Sequence, residues 1–115
     1  MVKLGHRGED LAVKFLEQTG YVIIQRNFKT AIGEIDIIAR DNESLVFIEV
    51  KTRESLDFGY PYESVTRAKR KKIANVASLF LKKLRELPQC RFDIVRICHK
   101  KGKPEFELIK DAFEI

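Results

Sequence analysis

The hydrophobic pattern of this chain changes period several times. Between Gly5 and Gly20 it is helical: Leu11, Ala12, Phe15 and Leu16 form an apolar stripe, Asp10, Lys14, Glu17 and Gln18 cover the far side, and Gly20 marks a C-terminal cap. Glu9 falls in phase with Ala12, Val13 and Leu16 and is expected to point toward whatever that stripe packs on. Its neighbour Asp10, about 100° further round the axis, is expected to face away. From Tyr21 the period shortens to that of strands. Tyr21–Asn27, with Val22, Ile23 and Ile24 as its buried residues, is the first run; Ile35–Ala39 and Leu45–Val50 follow, separated by the turn-forming Asp41-Asn42-Glu43-Ser44. Helical spacing returns from about Val65 to Leu84, with Ser64 as N-cap and Ile73, Val76, Ala77, Phe80 and Leu84 as the core stripe. Extended back one turn, that stripe meets Lys69, which is expected to face inward or toward a site. Pro88 ends the helix; Gln89–His99 reads as a strand buried on both faces, and Glu105–Ile109 as an edge strand after a turn over Lys100–Pro104.

The order α, β, β, β, α, β, β predicts an α/β fold over residues 1–115 as a single domain. Strands one to three would form an antiparallel meander. The second helix would be a right-handed crossover laying strand four parallel to strand three, with helices on both faces of a mixed sheet.

Three charges break the strand pattern. Glu49 and Lys51 share a face with Leu45 and Phe47, so that face turns from apolar to ionic along one strand. With a four-residue loop over 41–44, Arg40 faces Leu45 and Asp36 lies directly opposite Glu49, roughly 5 Å away between Cβ atoms. A two-residue loop keeps them on one face as diagonal neighbours, and a three-residue loop separates them. Two carboxylates and an ammonium would then converge at the strand ends, where like charges repel unless a cation lies between them. Magnesium suits such a place, since it is commonly held by one or two carboxylates together with waters and phosphate. Glu34 shares the Asp36 face and reads as a solvated strand-end charge.

Composition narrows the partner. The chain has 115 residues, with 44% hydrophobic and 34% charged, a composition ordinary for one globular domain. No apolar run approaches the ~20 residues of a membrane span, and MVKLGHRGED has no signal-peptide core, so a cytoplasmic location is expected. Cys90 and Cys98 lie too far apart along one strand to be bridged and read as buried thiols. Lys and Arg outnumber Asp and Glu by 22 to 17, a net charge of +5, which favours a polyanionic partner. Arg67, Lys69, Arg70, Lys71 and Lys72 place five cations within six residues, a basic collar around the second helix. A loop from Thr52 to Ser64 mixes Arg53 with Phe58, Tyr60 and Tyr62, a mixture that can stack on bases or simply pack on the domain.

Asp36 followed by Glu49-Val50-Lys51 resembles the signature of PD-(D/E)xK nucleases, with Ile35 in place of the name-giving proline. The ordered blocks GHRGEDLA, NFKTAIGEIDIIA, LVFIEVKTR and RFDIV resemble the bacterial UPF0102 family, also called the YraN family, which is similar to archaeal Holliday-junction resolvases. The resemblance implies a restriction-endonuclease-like αβββαβ core. It also implies Mg²⁺ or Mn²⁺ held by Asp36, Glu49 and the Val50 backbone carbonyl, with Glu9 as a supplement and Lys51 orienting the attacking water. A free lysine, of pKa ~10.4, is a poor base at neutral pH, so the metal would carry most of the water activation. The substrate implied is nucleic acid, DNA above all and branched or structured DNA in particular, contacted by Lys69, Arg70, Lys72, Arg67, Arg53 and Tyr60; a homodimer is implied by analogy. Two other readings stand beside it: a nucleic-acid-binding module of nuclease-like fold without turnover, and a merely structural Glu49–Lys51 salt pair. Asp93 in the RFD block reads as structural, hydrogen-bonding to the basic helix.

Overall fold

The computed structural model describes residues 4–53 and 66–113, with side chains over 8–52 and 66–113. In chain order the elements are α1 (Leu4–Gln18), β1 (Val22–Thr30), β2 (Gly33–Asp41), β3 (Ser44–Arg53), α2 (Arg67–Leu81), β4 (Gln89–Lys100) and β5 (Lys103–Ile109). The five strands form one sheet in the order β1-β2-β3-β4-β5, antiparallel throughout except for the parallel β3–β4 pair that α2 connects. This is the mixed sheet expected, and the architecture is that of a restriction-endonuclease-like α/β core. No described helix is long and apolar enough to cross a membrane.

Each face of the sheet has its own core because each strand alternates. Ala12 and Leu16 of α1 pack on Ile37, Ala39, Val46, Ile48, Val95 and Ile97. On the other face Val76, Ala77 and Phe80 of α2 meet Phe28, Ile38, Leu45 and Phe47. The end of α1 is locked by a Schellman motif, in which the Tyr21 N–H donates to Leu16 O (2.9 Å) and the Gly20 N–H to Glu17 O (3.1 Å). Gly20 takes φ +100, which the motif requires. The motif delivers Tyr21 and Leu16 into the same core.

The β2–β3 turn is Asn42-Glu43, with Asp41 opposite Ser44 and Arg40 opposite Leu45. The loop is thus the two-residue one, yet centred so that the register is the directly opposed one, not the diagonal. Asn42 supplies the positive φ (55°) that such a turn needs.

Several expectations are corrected. Val22 and Ile24 are half exposed, because β1 is an edge strand and a bulge between Ile23 and Gln25 throws Ile24 off the core face. α2 begins at Arg67 under Thr66, whose Oγ1 accepts the Lys69 N–H (3.2 Å), so the cap is not Ser64, which lies outside the described residues. α2 stops at Leu81, leaving Leu84 exposed instead of in the stripe. β3 runs on through Thr52 and Arg53, still paired with Ile97 and Cys98, where a loop was expected. Cys90 is exposed near the start of β4, not buried; Cys98 is half-buried, and both are free thiols.

Asp93 is structural, but its hydrogen bonds among the described residues run to Tyr21, Arg91 and Asp111. At 1% exposure its carboxylate accepts from Tyr21 OH (2.7 Å), from Arg91 Nε (2.9 Å) and from the Asp111 N–H (2.9 Å). Arg91 also pairs with Asp41 at 2.8 Å. The network ties the end of α1, the β2–β3 turn, β4 and the C-terminal segment together. Both oxygens of the buried carboxylate are thereby bonded, as a charge in so dry a place requires.

Candidate active site

The site begins with a break in strand phase. Arg26 reaches Asp10 of α1 at 2.7 Å and pairs across strands with Ile37, which lies in the α1-side core. Two residues along, Phe28 pairs with Ile35, and both lie in the α2-side core. Strict alternation would have kept Arg26 and Phe28 on one face. The position between these pairs, Asn27 beside Asp36, is missing from the ladder, and Asn27 has φ 51°. Both strands rotate there together. Counted from Ile38, Asp36 faces α2; counted from Ile35, it faces α1. It accordingly lines hollows on both faces of the sheet.

β2 and β3 also part at this point. Their ladder ends at Ile37↔Ile48, so the next position, Asp36 opposite Glu49, carries no backbone pairing. Instead the Val50 N–H donates to Asp36 Oδ2 at 2.9 Å. Within a strand the N–H and C=O of one residue leave toward the same edge, so the Val50 carbonyl points to the same gap. On the α2 side, Asp36 and Glu49 line a hollow of about 130 Å³ with Glu34, Ile73 and Phe113. Lys51 Nζ lies 3.1 Å from Glu49 Oε1, both side chains half-buried. On the α1 side, Asp36 shares a wider hollow, about 410 Å³, with Glu9, Asn27, Lys29, Val50 and Thr52.

Helix phase brings Glu9 here, at 8% exposure, while Asp10 stays on the surface. Close seating of α1 on β3 is the second requirement. A Cβ on Gly8 would stand 2.5 Å from Thr52 Oγ1, so only glycine lets the helix come down at this point.

The electrostatics are those of a site short of positive charge. Burial pushes the Asp36 carboxyl up to about 6; the Val50 N–H opposes this, and the charges of Glu9, Glu49 and Glu34 add to it. Among the described residues, Glu9 Oε1 and Glu49 Oε2 are buried with no hydrogen-bond partner. A buried polar oxygen left unpaired costs on the order of 1–3 kcal/mol, more when charged. Among the described residues no three His, Cys, Asp or Glu side chains close into a ready cage. The carboxylates flank one gap from two faces instead.

Of the expected cations, Lys69 is exposed, one turn before Ile73, so it is not buried inward. Lys72 lays its stem on Gly33, whose φ of +153° and lack of Cβ leave room for Lys72 Cε and Val76 Cγ2. Arg70 sits 5.9 Å above the Phe113 ring, and Arg67 is exposed. The Arg53 side chain and Tyr60 lie outside the described residues. Sequence reading missed Asn27, Lys29 and Phe113. Only a non-alternating Asn inside a β run hinted at the first, and nothing local could place a tail residue such as Phe113 on Phe92, 5.0 Å between ring centroids.

The profile of the Uncharacterised protein family UPF0102 matches residues 8–97, which contain all four residues of the acid and lysine set. Relatives extend the match over almost the whole chain. A UPF0102 protein of Geobacter metallireducens is 46% identical over 113 residues, covering 97% of this chain and 93% of its own length. One from Caldicellulosiruptor saccharolyticus is 44% identical over 115 residues (96% and 97%), and one from Clostridium perfringens 47% over 116 residues (97% and 94%). With sheet order, helix placement and sequence in agreement, the chain belongs to the UPF0102 family.

Proposed function

We propose that this protein is a metal-dependent endonuclease of the PD-(D/E)xK type, hydrolysing phosphodiester bonds of DNA, with branched or otherwise structured DNA as its preferred substrate. The observation that carries the reading is the pair of buried, unpaired carboxylate oxygens, Glu9 Oε1 and Glu49 Oε2, flanking an Asp36 whose ionisation is opposed first by burial and then by its acidic neighbours. Three acids drawn from α1, β2 and β3 fit a divalent cation, which needs only one or two protein carboxylates when water and phosphate complete its shell. Asp36 and Glu49 would hold it, with the Val50 carbonyl beside them and Glu9 reaching it directly or through water. A bound Mg²⁺ or Mn²⁺ would acidify a water and polarise the phosphoryl oxygen.

The remaining work falls to the chain. Lys51, oriented by its 3.1 Å pair with Glu49, offers an ammonium to the attacking water and to the charge that develops on phosphate. Water adds to phosphorus and the bond to the 3′ oxygen breaks, leaving 5′-phosphate and 3′-hydroxyl ends. Arg70 over Phe113 and Lys72 against Gly33, with Lys69 beside them on the first turn of α2, would contact a phosphate backbone laid across the α2-side hollow. A purely structural Glu49–Lys51 pair would not account for Glu9, buried and unpaired at the same gap. The test is incubation with branched, flapped, single-stranded and linear duplex DNA in Mg²⁺ or Mn²⁺, beside Asp36→Asn and Glu49→Gln. Cleavage lost in both variants is expected. Metal-dependent binding without cleavage of any substrate would make the protein a binding module, and no metal binding at all would overturn the reading.

A further inference from the structure

The acids at the gap are all hydrogen-bond acceptors when ionised, and a hydrated cation presents water protons that need orienting as well as charge that needs neutralising. Asn27 is placed for that task. It is the cross-strand counterpart of Asp36 at the single interior position that the β1–β2 ladder skips on this side of the bulge, and it is half-buried. It lines the α1-side hollow with Glu9, Lys29, Glu34, Asp36, Val50 and Thr52. That hollow, about 410 Å³, is far larger than the ~30 Å³ share of one water. The backbone adds a second line of argument. Asn27 adopts φ 51° inside a strand, a conformation that glycine takes at lower cost and that Asn and Asp take more readily than other side chains. The bend that turns Phe28 into the α2-side core needs the conformation only. What asparagine brings beyond the bend is a neutral carboxamide, donor and acceptor at once, that adds no charge beside an Asp36 already held back from ionising.

We propose that Asn27 is a positioning residue of the metal site, its carboxamide holding a water of the hydrated divalent cation against Asp36 and Glu9; the proposal rests on the metal-site reading above. Because glycine preserves the bend, backbone and side-chain roles separate in one substitution. In Asn27→Gly the thermal midpoint is expected to stay level or rise, while the Mn²⁺ Kd, read by electron paramagnetic resonance on the full chain, rises about tenfold, the usual scale for losing a group that orients a metal site. Asn27→Ala, which lacks the carboxamide and strains the same φ, is expected to lose Mn²⁺ affinity to the same degree as Asn27→Gly and to lose stability as well. Wild type that binds Mn²⁺ beside an Asn27→Gly variant of equal affinity would overturn the assignment alone. So would an Asn27→Ala variant that binds Mn²⁺ as tightly as wild type. Wild type that binds no Mn²⁺ would overturn the metal reading and this assignment with it.

Discussion

Asp36 is held in a position where ionisation is disfavoured, and that has a sign that can be measured. Its folded-state pKa is raised to about 6 from an ordinary carboxylate value, so the folded protein binds the proton more tightly than the unfolded chain. Stability from this group is present below about pH 4 and is lost as pH rises toward and through about 6. Asp36→Asn, which can still accept the Val50 N–H, should therefore be more stable than wild type at pH 8 without metal, by up to about 3 kcal/mol, with the difference vanishing near pH 4. Urea melts of both proteins at the two pH values check this; a variant less stable at pH 8 would contradict it. The adjacent acids of α1 should differ as sharply. Glu9→Gln should raise the Mn²⁺ concentration needed for activity about tenfold or abolish turnover. Asp10→Asn should do neither, losing only its exposed pair with Arg26, which is worth up to ~1 kcal/mol before salt screening.

Two elements act as units. α1 reaches the site because Gly8 lets it settle on Thr52, and Thr52, β-branched, has little freedom to swing aside. Gly8→Ala should therefore weaken Mn²⁺ binding as well as stability, in contrast to the gain an alanine normally brings inside a helix; an unchanged metal affinity in calorimetry would show that Glu9 does not depend on this seating. In α2 the cations are not equivalent. Arg70 lies over Phe113 and Lys72 covers Gly33, so alanine at either should cost stability, whereas Arg67→Ala with Lys69→Ala should leave the thermal midpoint unchanged. The same double variant should bind DNA more weakly and reduce the slope of log affinity against log salt by roughly 0.7–0.9 for each phosphate that is no longer neutralised. An unaltered slope would mark both as plain surface.

Across the whole molecule, the polar network around Asp93 links Tyr21, Asp41, Arg91 and Asp111 and holds α1, the β2–β3 turn and the C-terminal segment in register, while Asp93 itself also lines the α2-side hollow. Removing one partner of a buried ionic network strands the others, at about 3–5 kcal/mol. Asp93→Ala should accordingly lower the thermal midpoint strongly, yet the folded fraction should bind Mn²⁺ as wild type does. A selective loss of metal binding without destabilisation would mean that the network belongs to the site.

The register that opposes Asp36 to Glu49 stayed open among three loop lengths, but the order of elements, the meander and parallel crossover and the separate faces of Glu9 and Asp10 could be read from the chain. Each follows from a local period: 3.6 for α1 and α2, 2 for the strands, and a turn at Asn42-Glu43. What could not be read depended on which strands lie at an edge and where ladders stop. Val22 and Ile24 are as apolar as core residues, and the edge position of β1 together with the bulge between Ile23 and Gln25 leaves them in solvent. The Asn27–Asp36 rotation likewise breaks the alternation on which strand reading rests, and it is made by two strands bending together, which no single run of residues records. Phe113 reaches the site from the C-terminal segment through Phe92, a contact between segments whose positions are set by the assembled sheet and not by spacing along the sequence.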